Sequence, residues 1–253
     1  MYQRQSELIE YLVTQLTALE GVKALYLKGS VASGTDDAFS DVDFYCLTDE
    51  ASCETIMGQR EALLEAFRPI IYKSHVNFGT PQIIVIFDHD LHLDFYVTKD
   101  VPFEDSSQIK VLYDPECLLA DYKSIKRVDD PEEIKAYLDD AIYTLHELNI
   151  AIQRNDYLWA IRLETHILAY LSLVLSHLFE PDRPVLHMKG VYHHIPEDLQ
   201  QDFTEILANM SSDRIEDNLK LLIKLIDKII TNQSREMISG LNLAYLEYLK
   251  RSN

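Results

Sequence analysis

Asp41 and Asp43 stand two residues apart in Asp41-Val-Asp43-Phe, and a third aspartate, Asp94, recurs between apolar neighbours in Leu93-Asp94-Phe95. Successive side chains of a β-strand alternate between faces, so Asp41 and Asp43 share one face while Val42 and Phe44 turn toward a core. Two carboxylates side by side repel unless a cation sits between them. A hard divalent cation such as Mg²⁺ takes oxygen ligands and commonly keeps substrate phosphates in its shell. Upstream, Gly29-Ser30 closes the apolar run from Leu25, and ten residues separate Ser30 from Asp41. Glycine lets the backbone approach a phosphate closely. Ser30 adds a hydroxyl donor, and the amides after it could open a helix whose N-terminus favours an anion. The stretch from Leu25 to Leu47 therefore reads as a metal and nucleotide-phosphate site.

Strands and helices to hold that site are written into the flanking sequence. Leu8, Ile9, Leu12, Leu16 and Leu19 recur at helical spacing over Ser6 to Leu19, and Gly21 follows as a stop. Strands are predicted over Val22 to Lys28 and Val42 to Thr48, and a helix over Ala51 to Phe67 ahead of Pro69. Ile70 to Val76, Gln82 to Phe87 and Leu91 to Thr98 read as further strands, with Asp88-His89-Asp90 turning the last pair. Along the third of these, Leu91, Leu93, Phe95 and Val97 face one way and Asp90, His92, Asp94 and Tyr96 the other. Asp94 can thus join Asp41 and Asp43 if the two strands lie side by side. Val111 to Tyr113 adds a short edge strand.

From Asp130-Pro131 the pattern becomes helical. Asp130 is an N-cap and Pro131 a first-turn residue, and helices are predicted over 131–153, 157–179, 197–209, 213–232 and 234–250. The long connection from Glu180 to Ile195 carries Pro181 and Pro184. The expected architecture is α+β: residues 1–125 a mixed sheet with flanking helices, residues 126–253 an all-α bundle, both of ordinary domain size.

Composition narrows the function. The formal net charge of the 253 residues is −19, which argues against nucleic-acid binding, since that relies on Lys and Arg neutralising phosphates. It suits a cationic small substrate or a solvated acidic surface. Cys46, Cys53 and Cys117 show neither metal-ligand spacing nor an even-numbered framework, so a reducing cytoplasm is expected. The amino terminus lacks the basic and apolar regions of a signal peptide. The nearly apolar run Ile167 to Phe179 is short for a bilayer span and reads as a buried helix, so no membrane partner is expected.

The order Gly29-Ser30, Asp41-x-Asp43, Leu93-Asp94-Phe95, each on or beside an apolar strand, resembles the signature of the polymerase-β-like nucleotidyltransferase superfamily over the first half of the chain. The second half is similar to bacterial antibiotic adenylyltransferases, including those acting on aminoglycosides, which follow a minimal nucleotidyltransferase domain with a helical bundle. Within it, Pro184 to Tyr192 resembles a segment of streptomycin-type enzymes whose lysine reaches nucleotide phosphates, here Lys189. The resemblance implies Mg²⁺, two ions, at Asp41, Asp43 and Asp94, with ATP as co-substrate. Nucleotide binding falls to Gly29, Ser30 and Lys189, and also to Ser40, since the family often carries serine before the aspartate pair. Asp94 either completes a second metal site or accepts a proton from the acceptor hydroxyl. The implied reaction is transfer of AMP from ATP to a hydroxyl of a small, cationic molecule such as an aminoglycoside-like antibiotic, pyrophosphate leaving. Some relatives build their site across a dimer, so a homodimer is admissible.

Other residues divide between functional and ordinary readings. His92 shares the face of Asp94 and could touch substrate, or be a hydrogen-bonded strand histidine. Glu164 could supply a base, as kanamycin-type relatives do from their second domain, or pair with Arg162 on the surface, the reading we favour. Trp159 and Tyr157 could stack on a substrate ring, though core packing is commoner. His187, His193 and His194 lack metal-ligand spacing. A calcium loop is excluded because the sixth position from Asp41 is Cys46 where glycine is needed, and a Walker phosphate loop because Thr35-Asp36 follows Gly34. Competing functions are an AMP-adding antitoxin that modifies a protein, and a nucleotide-binding regulator with a decayed site. Against the second stands the complete set of carboxylates with Gly29-Ser30. A ribonuclease pair is disfavoured because Arg162 and His166 have only three residues between them, as do Arg183 and His187.

Overall fold

The computed structural model describes residues 2–77, 79–102, 104–105, 107–125, 130–181, 187–233 and 238–252. The chain divides into two compact units, Met1–Ile125 and Lys126–Asn253.

The first unit is built on a six-stranded sheet. Its elements run α1 (Gln3–Leu16), β1 (Val22–Lys28), α2 (Gly29–Ser33), β2 (Val42–Thr48), α3 (Cys53–Phe67), β3 (Ile70–Asn77), β4 (Pro81–Phe87), β5 (His92–Thr98) and β7 (Lys110–Tyr113), with β6 (Glu104–Asp105) and β8 (Lys123–Ser124) forming a separate two-stranded ladder. The order across the main sheet is β3-β4-β5-β2-β1-β7. All neighbours in it are antiparallel except β2 and β5, which run parallel.

Period-2 patterning decides what each face meets. Leu25, Leu27, Val42, Phe44, Ile83, Val85, Leu93, Phe95 and Val97 turn to one face and bury against α1 and α3. Phe44 and Phe95 meet edge-on there, ring centres 5.7 Å apart. A slip of one residue would turn this whole apolar set to the opposite face, so the register is strongly specified. A smaller cluster of Ala24, Tyr26, Leu47 and Leu119 covers part of the other face.

Among the described residues the second unit contains helices only: α4 (Pro131–Gln153), α5 (Tyr157–Phe179), a 3₁₀ turn at Val191–His193, α6 (Glu197–Asn209), α7 (Ile215–Thr231) and α8 (Leu243–Ser252). Asp130 caps α4 by accepting from Glu132 N at 2.9 Å. Asn155, at φ 57°, turns the chain into α5, which Asp156 caps. One core, drawn from Leu138, Leu145, Leu168, Leu171, Leu222 and Ile226 among others, holds the helices together. By length and composition α5 could cross a membrane, but much of that stretch is buried in this core. The helix predicted over 234–250 is interrupted: Ile238 is helical, Gly240 adopts φ 91°, and the next helix starts at Leu243, because a continuous helix cannot contain a left-handed residue. Residues 234–237 of that prediction lie outside the described set.

Candidate active site

Parallel pairing of β2 with β5 sets Asp43 directly opposite Asp94. Both point away from the hydrophobic core, since Phe44 and Phe95 beside them point into it. Asp41 lies one residue before β2. His92, first residue of β5, links the set: its Nε2 is 3.0 Å from Asp94 Oδ1, and its Nδ1 is 3.8 Å from Asp41 Oδ2. The hydrogen bond to Asp94 raises the His92 pKa above its ordinary value, helped by the charges of Asp94, Asp41 and Asp43 and opposed by partial burial.

Gly29 completes the corner. It sits at φ 67°, and a Cβ added to it would overlap the Asp43 carboxylate. Its role is thus twofold, a left-handed turn into α2 and room for Asp43. Ser30 lies in the first turn of that five-residue helix. The Ser40 hydroxyl is taken up locally, accepting from Asp37 N at 2.9 Å and bonding Asp37 Oδ1 at 3.1 Å, so it shapes the loop that delivers Asp41.

Two residues of α1, not singled out by the motif, hold this edge together. Gln5 is fully buried, and its Nε2 donates to the carbonyls of Asp37 and Ser40, each at 3.0 Å. Arg4 donates to the carbonyl of Ala38 and, at 3.1 Å, to that of His89. One helix thereby clamps the loop before β2 and the turn before β5, the two segments that launch the carboxylates. A sequence signal for Gln5 exists: it extends the buried stripe Leu8 and Leu12 at helical spacing, where a polar side chain must find partners.

Below the carboxylates, three tyrosines stack on the same face. Tyr26, Tyr45 and Tyr96 are opposed in register, with ring centres 4.9 Å and 4.2 Å apart and planes 14° and 4° from parallel. Burial, then the charges of Asp94 and Asp43, pushes Tyr96 up to about 12. Burial likewise raises Tyr45.

The donor set suits a hard cation in kind: oxygens of Asp41 and Asp94 converge on one imidazole, and Asp43 lies beside Asp94. Among the described residues no three ligating side chains already stand in coordination geometry.

The remaining expected residues belong to the helical unit. Glu164 is fully buried and accepts from Asn218 Nδ2 at 2.8 Å. The expected surface pair with Arg162 is therefore overturned: Glu164 faces inward with Ala160 and Leu168, while Arg162 stacks over the Trp159 ring, 5.8 Å from its centre. Burial pushes the Glu164 pKa up to about 7, the Asn218 bond opposing. Trp159 and Tyr157 are partly exposed, at 42% and 38%, not core residues as expected. Lys189 is exposed in the turn that ends at Gly190. Residues 182–186 of the segment around it lie outside the described set.

Residues 7–106 match the family model described as the nucleotidyltransferase domain. No curated protein matches the chain. Among solved structures, an aminoglycoside 6-adenyltransferase from Bacillus subtilis is 12% identical, with all of this chain and 97% of that one covered at a TM-score of 0.44. A nucleotidyltransferase-like protein from Exiguobacterium sibiricum is also 12% identical, covering 99% of this chain and 81% of that one at a TM-score of 0.40. Superpositions of that quality carry no weight on activity.

Proposed function

Residues 7–106 being a nucleotidyltransferase domain, we propose that the protein transfers AMP from ATP, with Mg²⁺, to a hydroxyl of a small cationic molecule. The observation that carries this reading is the pairing of Asp43 with Asp94 across β2 and β5, beside Gly29 and with Asp41 one imidazole away. Mg²⁺ bound by Asp41 and Asp43, with Asp94 beside them, would supply positive charge to the phosphate oxygens.

The protein groups then have defined tasks. The Gly29 corner and the first amides of α2 receive the phosphates. The acceptor hydroxyl oxygen bonds to the α-phosphorus as the bond from that phosphorus to the bridging oxygen breaks. Its electron pair leaves with pyrophosphate, and the hydroxyl proton passes to Asp94. His92 orients Asp94 through Oδ1. A cationic acceptor is supported by the net charge of −19 and by the resemblance of the second half to antibiotic adenylyltransferases.

The test is incubation with α-labelled ATP, Mg²⁺ and a panel of aminoglycosides and lincosamides. Label should move to an acceptor, with pyrophosphate released, and Asp43→Ala should abolish it. No transfer to any acceptor, together with nucleotide binding unchanged in Asp43→Ala, would sink the proposal. Label arriving on protein in place of a small molecule would reassign the acceptor.

A further inference from the structure

The row of side chains through Asp43 has a polarity. On one side stands Asp94, its partner in β5; on the other stands Lys28, its partner in β1. All three share the face opposite the hydrophobic core. Lys28 is the last residue of β1, immediately ahead of Gly29 and α2, and its Nζ lies 5.2 Å from the centre of the Tyr45 ring. Tyr45 is fixed in turn by the stack on Tyr26 and Tyr96. Directly opposed residues in an antiparallel pair have Cβ atoms about 5 Å apart, and a lysine stem is long enough to carry its ammonium across that gap. Lys28 can therefore reach the edge where Asp43 and Gly29 meet.

An in-line displacement at phosphorus keeps the attacking and leaving oxygens on opposite sides. On the reading above, from which this inference follows, Asp94 takes the proton of the attacking hydroxyl. Attack then comes from the β5 side, and pyrophosphate departs on the β1 side. We propose that Lys28 binds the departing pyrophosphate, meeting the negative charge released when the bond from α-phosphorus to bridging oxygen breaks. The lysine supplies charge alone; it gives up no proton and forms no covalent bond. An aromatic face attracts a cation, and with Nζ 5.2 Å from the ring centre Tyr45 is a resting place beside the path of the leaving group.

The experiment is calorimetric titration of the full-length protein with Mg²⁺-pyrophosphate and, separately, with Mg²⁺-AMP, for wild type, Lys28→Met and Lys28→Arg. Loss of a charge-assisted contact should weaken pyrophosphate binding by at least about tenfold in Lys28→Met. AMP binding should be little changed, and Lys28→Arg should recover most of the loss. Where an acceptor is in hand, pyrophosphate should also become a poorer product inhibitor of Lys28→Met. Pyrophosphate binding unchanged in Lys28→Met, or AMP weakened equally, overturns the assignment. Wild type that binds neither ligand overturns the nucleotidyl reading itself, and Lys28 with it. A melting temperature for each variant separates lost binding from lost folding.

Discussion

The carboxylate of Asp43 occupies the space in which Gly29 would carry a side chain, and Gly29 holds φ 67°. Backbone conformation and carboxylate placement are thus a single requirement. Gly29→Ala should cost about 1–2 kcal/mol in backbone strain and also displace Asp43. Transfer should fall on the order of 100-fold, as small misplacements of reacting groups do. Gly34 is the control: it has φ 74°, but among the described residues nothing lies within 4 Å of a Cβ added there. Gly34→Ala should show the strain in its melting temperature and keep transfer within a few-fold of wild type.

Mg²⁺ with ATP should stabilise the first unit through its carboxylates. At a hundredfold excess over the dissociation constant a ligand adds about 2.7 kcal/mol, several degrees in a melting scan. The shift should vanish in Asp41→Asn/Asp43→Asn and on chelation. An equal shift in wild type and double variant would remove the carboxylates from the site.

Gln5 tests whether α1 positions the carboxylates from a distance. Gln5→Leu keeps the buried volume but removes the donor that the carbonyls of Asp37 and Ser40 share, leaving Asp37 O with Ser40 N at 3.3 Å. Each hydrogen bond lost costs about 1 kcal/mol. The Michaelis constant for ATP should rise along with the loss of melting temperature, because the loop before Asp41 is no longer held. A lower melting temperature with unchanged kinetics would make Gln5 purely structural.

Glu164 gives the helical unit a pH dependence. Its ordinary value is 4.5, and burial pushes it up to about 7 in the fold. A carboxyl with a raised folded pKa binds more protons folded than unfolded across that window. Its stabilisation is whole below the unfolded value and is lost as pH rises through the folded one. The full difference is about 3 kcal/mol. A single proton also fits the local chemistry, because among the described residues Glu164 Oε2 and Asn218 Oδ1 are both buried acceptors without donors. The wild-type unit should melt lower at about pH 8 than at about pH 5, and Glu164→Gln should flatten the profile over that range. Parallel profiles for the two proteins would contradict the assignment.

Strands with strict alternation were legible from sequence. β1 and β2 carry their predicted bounds, and β5 shows the expected inward Leu93, Phe95 and Val97. The two-residue strands β6 and β8 carry no period and could not be read. The three aspartates and Gly29-Ser30 were visible as types at a spacing. Their geometry depended on which strands are neighbours, and no local pattern states that β5 lies parallel beside β2. Gln5 and the burial of Glu164 were missed for a common reason: each stands on a buried helical stripe, and apolar periodicity draws attention away from the polar exception. For Glu164 the stripe through Ala160 and Leu168 was the better guide than proximity to Arg162.

The tyrosine stack has an optical consequence. Rings as close and as nearly parallel as Tyr45 and Tyr96, 4.2 Å and 4°, couple their electronic transitions and should give a strong near-ultraviolet circular dichroism band. The chain's one tryptophan, Trp159, lies in the helical unit at the start of α5. The band from this close stack and the tryptophan fluorescence therefore report on different units of an unlabelled chain. The order in which sheet and helices melt can be recorded in one cuvette, and ligand-induced changes in the dichroic band would arise a strand-step from Asp43 and Asp94.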